Sequence, residues 1–226
     1  MFGQKPSLVA AYLDRNRLQF YGTGFSTIPV LDIPATDIRD LDVVNRDGIY
    51  ALINQWLKVN NIGGANLYFV CSPNTYFDKA ISATSDSEQE TEIIKFYDTV
   101  PFEELATKVI NIGTTKRAFA MNRQYLEAIQ HAFTLQGHRV VAAIPAFVLG
   151  TLATKRWLDA EMGLYILKHA DELRQYSLLD EHEQNAPVSS PARDAATSKN
   201  NPRLMIMVGF FGVLLLVLIV ILFTRH

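Results

Sequence analysis

The sequence has one cysteine among 226 residues, so no intramolecular disulfide can form. Cys71 lies in the apolar run "NLYFVC", where a lone thiol reads as a buried, inert side chain of a reducing compartment. An excess of either charge is also missing: 21 Lys and Arg stand against 23 Asp and Glu, for a net charge of −2. There is no basic stripe and no interleaving of basic and aromatic residues, which excludes nucleic acid as a partner. Site constellations are lacking too. The chain has no nucleophile elbow, no Gly-rich phosphate loop, no His/Cys pair at metal-ligand spacing and no paired carboxylates on one helix. The expectation is therefore a protein that is not an enzyme, with no cofactor and no metal. His169 falls in an apolar helical stripe with no second ligand near, and reads as a core or boundary histidine.

Long apolar runs are lacking everywhere except at one place. From Leu204 to Phe223, within "RLMIMVGFFGVLLLVLIVILFTRH", no charge occurs. At about 1.5 Å per helical residue this run spans about 30 Å, the hydrocarbon thickness of a bilayer. We expect a transmembrane helix at 204–224, with Arg203 and Arg225 able to snorkel to the two interfaces. Arg193, Lys199 and Arg203 precede the run and Arg225 alone follows it. The positive-inside rule then puts the N-terminal part in the cytosol and makes the inner (cytoplasmic) membrane the expected location of a single-pass chain. Residues 181–203 are rich in Pro, Ser, Ala and Asn without hydrophobic periodicity, and read as a disordered tether with a reach of roughly 25–30 Å. Residues 1–180 remain for one domain, or two small lobes.

Within them, Ser7–Leu13 and Leu18–Tyr21 flank the polar Asp14-Arg15-Asn16 and predict a hairpin. Ile28–Val43 reads as a strand followed by a loop. "DGIYALINQWLKVNNIGG" predicts a helix capped by Asp47, with Ile49, Tyr50, Ile53, Trp56 and Leu57 on one face. "ANLYFVCS" predicts a buried strand. Two candidate capping boxes, Ser85-x-x-Glu88 and Asp86-x-x-Gln89, open a helix that Pro101 ends. A hairpin over Ala106–Ile112 and Thr115–Met121 comes next, then a helix from Arg123 to Leu135, capped by Asn122 and stopped by Gly137. A strand at "HRVVAAI", a helix from Pro145 and a last helix carrying Met162, Tyr165, Ile166 and Leu173 complete the order. The fold class expected is α+β, with helices packed on small sheets, plus one C-terminal transmembrane helix.

The stretch from Lys95 to Leu149 resembles the small inserted subdomain of the PilM-like pilus-assembly proteins, relatives of FtsA in the actin-like superfamily. The features that carry the resemblance are Pro101-Phe102-Glu103-Glu104, the strand Arg117–Met121, the helix between Asn122 and Gly137, and Val140–Phe147. The preceding "ALINQWLKVNNIGGANLYFVCSPNTYF" is similar to the family's helix and strand before the insertion, so the resemblance runs in order over roughly residues 7 to 150. It implies a partial actin-like lobe. The family's first hairpin carries an Asp-x-Gly-x-Ser/Thr phosphate loop. Here Asp14 aligns, but Arg15-Asn16-Arg17 replace the glycine and the hydroxyl. Too few residues follow Phe147 for the family's second half.

The resemblance implies a non-catalytic scaffold of a type IV pilus or type II secretion-like assembly platform. Such a scaffold would dock a short cytosolic peptide of a bitopic partner and contact the assembly ATPase, and it could self-associate. The positions it suggests for partner binding are Phe102, Glu103, Glu104 and Arg117. Phe102 can equally close a core, and the two glutamates and Arg117 can equally form a solvated face. Two other readings stand beside this one: a tail-anchored adaptor with an unrelated α+β domain, and a nucleotide-binding actin-like ATPase.

Overall fold

The structure is a computed structural model that describes residues 7–179. The expected tether and span lie outside the described residues. Among the described residues, no helix is long and apolar enough to cross a membrane.

The chain begins with the hairpin of β1 (Leu8–Asp14) and β2 (Arg17–Tyr21), followed by β3 (Val30–Asp32). Two very short strands, β4 (Ile38–Arg39) and β5 (Asp42–Val43), precede helix α1 (Arg46–Val59) and strand β6 (Asn66–Cys71). An inserted unit follows: β7 (Phe77–Ala80), α2 (Asp86–Tyr97), β8 (Leu105–Ile112) and β9 (Thr115–Asn122). Helix α3 (Arg123–Leu135) leads to β10 (Arg139–Pro145), a kinked 3-10 segment (Ala146–Thr154), and helices α4 (Ala160–Lys168) and α5 (Ala170–Leu173).

The main sheet has the order β10-β6-β1-β2-β3. β1 pairs antiparallel with β2 but parallel with β6, and β6 pairs parallel with β10. Parallel neighbours need long crossovers, which α1 and α3 supply. β1 and β6 are apolar on both faces because both faces are covered. Val9, Ala11, Leu13, Leu67 and Phe69 face α1 and α3; Ala10, Tyr12, Tyr68 and Val70 face α4 and the 3-10 segment. The main sheet is therefore a three-layer α/β arrangement, and the expected α+β character belongs to the inserted unit. There β7, β9 and β8 form a separate sheet with α2 packed on Ala118 and Ala120 through Phe96.

Local signals set most boundaries. Asn122 caps α3, accepting from the N–H groups of Gln124 (2.9 Å) and Tyr125 (3.3 Å). Gly137, at φ +81, ends that helix region as a left-handed residue can. Of the two candidate boxes before α2, Ser85 is the cap: its Oγ accepts from Glu88 N and donates to Glu88 Oε2. The cap of α1 differs from expectation. Asn45 caps it, accepting from Gly48 N at 3.0 Å, and Asp47 sits in the first turn, where its charge favours the helix N-terminus. Asn45 takes the role because its amide is also anchored on Asp37 Oδ1, 3.1 Å away. The helix expected from Pro145 is a 3-10 segment broken at Gly150, whose φ of +62 has no place in a helix.

Gly163 lets α4 approach β2 closely, since a Cβ there would lie 2.2 Å from Tyr21 Cγ. Beyond α5 the chain passes the outer edge of β10. Leu178 N donates to Ala143 O (2.8 Å), Ala143 N donates to Ser177 Oγ (3.1 Å), and Lys108 Nζ of the inserted unit donates to Ser177 O (2.5 Å).

His138 is buried at the start of β10, and its Nδ1 accepts from Ala65 N at 3.2 Å. Burial holds its pKa below the ordinary 6.5. The unfolded chain then binds this proton first as pH falls. The neutral ring's contribution to stability is complete above about pH 6.5 and is lost progressively below it. Urea midpoints of the full chain should drop between pH 7.5 and 5.5, and His138→Gln should lessen that drop.

Candidate functional site

Asp14 stands at the carboxyl end of β1, where the resemblance places a phosphate-facing carboxylate. Here it is committed internally. Its Oδ1 accepts from Arg15 N (2.9 Å), Ser72 Oγ (2.7 Å) and Asn74 Nδ2 (3.1 Å), and its carbonyl accepts from the Tyr125 hydroxyl (2.7 Å). Arg15 Nε donates to Asn74 O (3.3 Å), and Arg17 pairs with Asp32 at 2.5 Å. Both arginines of the turn are thus held by their own fold. The segment 72–75 is tied down further: Asn74 N donates to Ser72 Oγ and Thr75 Oγ1 to Ser72 O. Asp14 here fastens the hairpin turn to the connection between β6 and β7.

Removing it leaves three donors without their acceptor. Asp14→Ala should lower the unfolding free energy by about 1–3 kcal/mol, read from urea denaturation of the full chain.

Beside this network lies a cleft of about 270 Å³ between the main body and the inserted unit. The body lines it with Arg15, Pro73, Asn74 and Tyr76, and with Asp40 and Leu41 of the β4–β5 turn; the inserted unit contributes Phe77, Pro101 and Phe102. The Phe77 and Phe102 rings meet edge-on at 5.9 Å, with Phe77 41% exposed and Phe102 half-buried. Tyr76 is fixed behind them by edge-on contacts with Phe119 (5.2 Å) and Phe147 (5.8 Å). Asp40 and Leu41 both have positive φ, 51 and 71, as a two-residue primed hairpin turn requires. For leucine that conformation is strained, and it is held by Asn122 Nδ2, which donates to Leu41 O at 3.1 Å. The cleft thus has an apolar, partly uncovered aromatic wall and one charge of each sign. A larger, open groove of about 590 Å³ runs along α2, but its ionic groups serve each other: Lys79 pairs with Glu92 at 3.1 Å, and Glu92 also accepts from the Ser82 and Ala83 amides.

The four positions suggested by the sequence are not brought together. Phe102 lines the cleft. Glu103 and Glu104 are exposed next to it, and the Glu104 carbonyl accepts from Arg123 N at 3.0 Å. Arg117 pairs with Asp78 (3.0 Å) and lies over the Phe147 ring at 5.0 Å. Along β9 it alternates with Ala118 and Ala120, so it faces away from α2, whereas Phe77 pairs with Ala120 on the α2 side. Sequence reasoning missed Phe77, Pro101, Asp40 and Leu41 as site residues. The signal at hand was "SPNTYFD", an aromatic pair directly after a Pro-Asn turn. Cys71 is fully buried, with its thiol pushed up to about 12, so it offers no thiolate for nucleophilic chemistry.

No family model and no curated protein matches the chain. Among solved structures it is similar to the cytoplasmic domain of EpsL, an inner-membrane component of the type II secretion system of Vibrio cholerae. The identity is 9%, the match covers 62% of this chain and 57% of that one, and the TM-score is 0.39. It is also similar to a PilM-PilN type IV pilus biogenesis complex, at 10% identity, with 61% of this chain and 45% of that one covered and a TM-score of 0.40. The chain spans about half the length of these structures.

Proposed function

We propose that this chain is a membrane-anchored, non-catalytic scaffold of a type IV pilus or type II secretion-like assembly platform. It receives a short extended peptide of a bitopic partner in the cleft between the main body and the inserted unit. The observation that carries the reading is the cleft itself: two partly uncovered phenyl rings, Phe77 and Phe102, sit beside a turn whose Asp14 is occupied by the protein's own donors. A pocket of this kind suits an apolar side chain on an extended segment, with Arg15 and Asp40 to orient the peptide backbone. The order of elements, with the inserted unit between β6 and α3, supports the resemblance drawn from the sequence. The apolar run 204–223 supports an inner-membrane anchor with the domain in the cytosol. Held there, a weakly docking lobe works at an effective concentration of about a millimolar. By the same resemblance the assembly ATPase is a second partner.

The test is site-directed photocrosslinking of the full-length protein in its native membranes, with a benzophenone amino acid replacing Phe77. A crosslink to a short cytosolic segment of a bitopic pilus or secretion protein, lost in Phe102→Asp, is the expected result. Crosslinks only to unrelated membrane machinery would move the protein to the tail-anchored adaptor class. Phosphate release is expected at background level, and no lower in Asp14→Ala. Release above background that Asp14→Ala abolishes would instead make the chain a nucleotide hydrolase.

A further inference from the structure

Two strands bound the main sheet, β3 and β10, and two bound the inserted sheet, β7 and β8. Exposed edges invite pairing with other chains, and proteins ordinarily blunt them. Three of these four are blunted. β3 is three residues long, and the Trp56 indole donates to Val30 O at 2.9 Å. β10 is met by Ser177 and Leu178. β7 is four residues long and carries Asp78 and Lys79.

β8 is different. It is eight residues long, "LATKVINI", rich in β-branched residues and without proline. Its one charge, Lys108, is turned towards Ser177 O. The other face of the strand presents Thr107, Val109 and Asn111, all exposed and all uncharged. The carbonyl of Leu105, at the start of the strand, accepts from the Arg123 guanidinium (3.1 Å), and among the described residues no strand pairs with β8 on the side away from β9.

We propose that β8 is a homotypic pairing edge: two copies of this chain join antiparallel through β8, about a two-fold axis at Val109. The two inserted sheets then become one six-stranded sheet. The strand is self-complementary in this register. A two-fold axis perpendicular to the sheet keeps each face with itself, so Val109 meets Val109 of the second copy and Thr107 meets Asn111. The first pair is an apolar β-branched contact and the second a hydrogen-bonding one. Ala106 through Ile112 pair along their whole length. Moving the axis one residue back sets Lys108 against Lys108, a like-charge pair, and moving it forward shortens the overlap. One register is thereby favoured over its neighbours.

The test is cysteine scanning of the full-length protein in its membranes or in detergent, under mild oxidation; the native Cys71 is buried and stays silent. Val109→Cys should give a disulfide-linked dimer in several-fold excess over Glu90→Cys, an exposed control on α2. Thr107→Cys mixed with Asn111→Cys should crosslink, while Thr107→Cys alone should not. This positional pattern separates β8 pairing from pairing through any other part of the chain. Val109→Lys should shift the protein towards monomer in sedimentation, and its unfolding midpoint should fall no further than that of the unsubstituted protein diluted to monomer. Equal crosslinking at 109 and 90, or linkage at 109 only to a different protein, would overturn the proposal. The cleft readout at Phe77 is independent of either result.

Discussion

Phe133→Ala should lower the unfolding free energy by about 3–5 kcal/mol, the range for deleting a fully buried aromatic ring. Phe133 has no exposed surface and sits on the face of α3 that meets the main sheet. Its ring is 5.8 Å from Phe20 of β2, 5.9 Å from Phe69 of β6 and 5.9 Å from His138 at the start of β10. Phe20 in turn stacks at 4.7 Å on Trp56 of α1. One side chain thus links three strands and, through Phe20, both helices of that layer. Truncation opens a cavity whose walls belong to separate elements, so collapse can fill little of it. Phe133→Leu keeps most of the volume and should lose about 1.5 kcal/mol or less. Urea denaturation of the full chain gives both numbers. A loss near 1 kcal/mol for the alanine variant would mean that the site can close, and that α3 is less firmly seated than its contacts imply.

Asn122→Ala should be the next most damaging, at about 2–3 kcal/mol, because two functions end together. As the cap of α3 it satisfies two backbone amides, a role whose loss typically costs about 1 kcal/mol. Its amide also donates to Leu41 O (3.1 Å) and Asp42 Oδ1 (3.2 Å), and those acceptors are left unsatisfied. Asn122→Ser keeps a capping oxygen but cannot reach as far, so it should recover about half of the loss. The two parts can be read separately. Unfolding free energy reports the sum, while hydrogen exchange of residues 38–43 reports the β4–β5 turn alone. That turn holds Leu41 at φ 71, and it should exchange faster in both variants once its anchor is gone. Since Asp40 and Leu41 line the cleft, the crosslink that the proposed function predicts at Phe77 should weaken in step with that exchange.

Elements whose cause is local were legible in the sequence. The β1–β2 hairpin follows from Asp14-Arg15-Asn16 between two apolar runs, and α3 from Asn122, its apolar stripe and Gly137. β7 was not legible, because all four of its residues are exposed and it has no alternating pattern; it is a strand only because β9 pairs with it. β4 and β5 are two residues each and exist through the Asp40-Leu41 turn, a conformation that leucine does not advertise. The α/β character of the main sheet was hidden for a related reason: β1 and β6 read as apolar runs, and whether they pair in parallel is decided by crossovers far along the chain. Phe102 was reached only through the family resemblance. Phe77, its neighbour in the same cleft wall, comes from a strand with no signal of its own. Arg117 carried a charge that the sequence could not pair, and Asp78 and Phe147 claim it.

The way the chain passes β10 after α5 has a mechanical side. Load on the segment at Ser177 is carried by the bonds around that residue. Those bonds divide the load. Ala143 passes it to the main sheet, and Lys108 passes it to the inserted unit. A pull on that segment therefore reaches both sheets at once, through separate anchors, so the load is shared between the main body and the inserted unit and neither carries it alone.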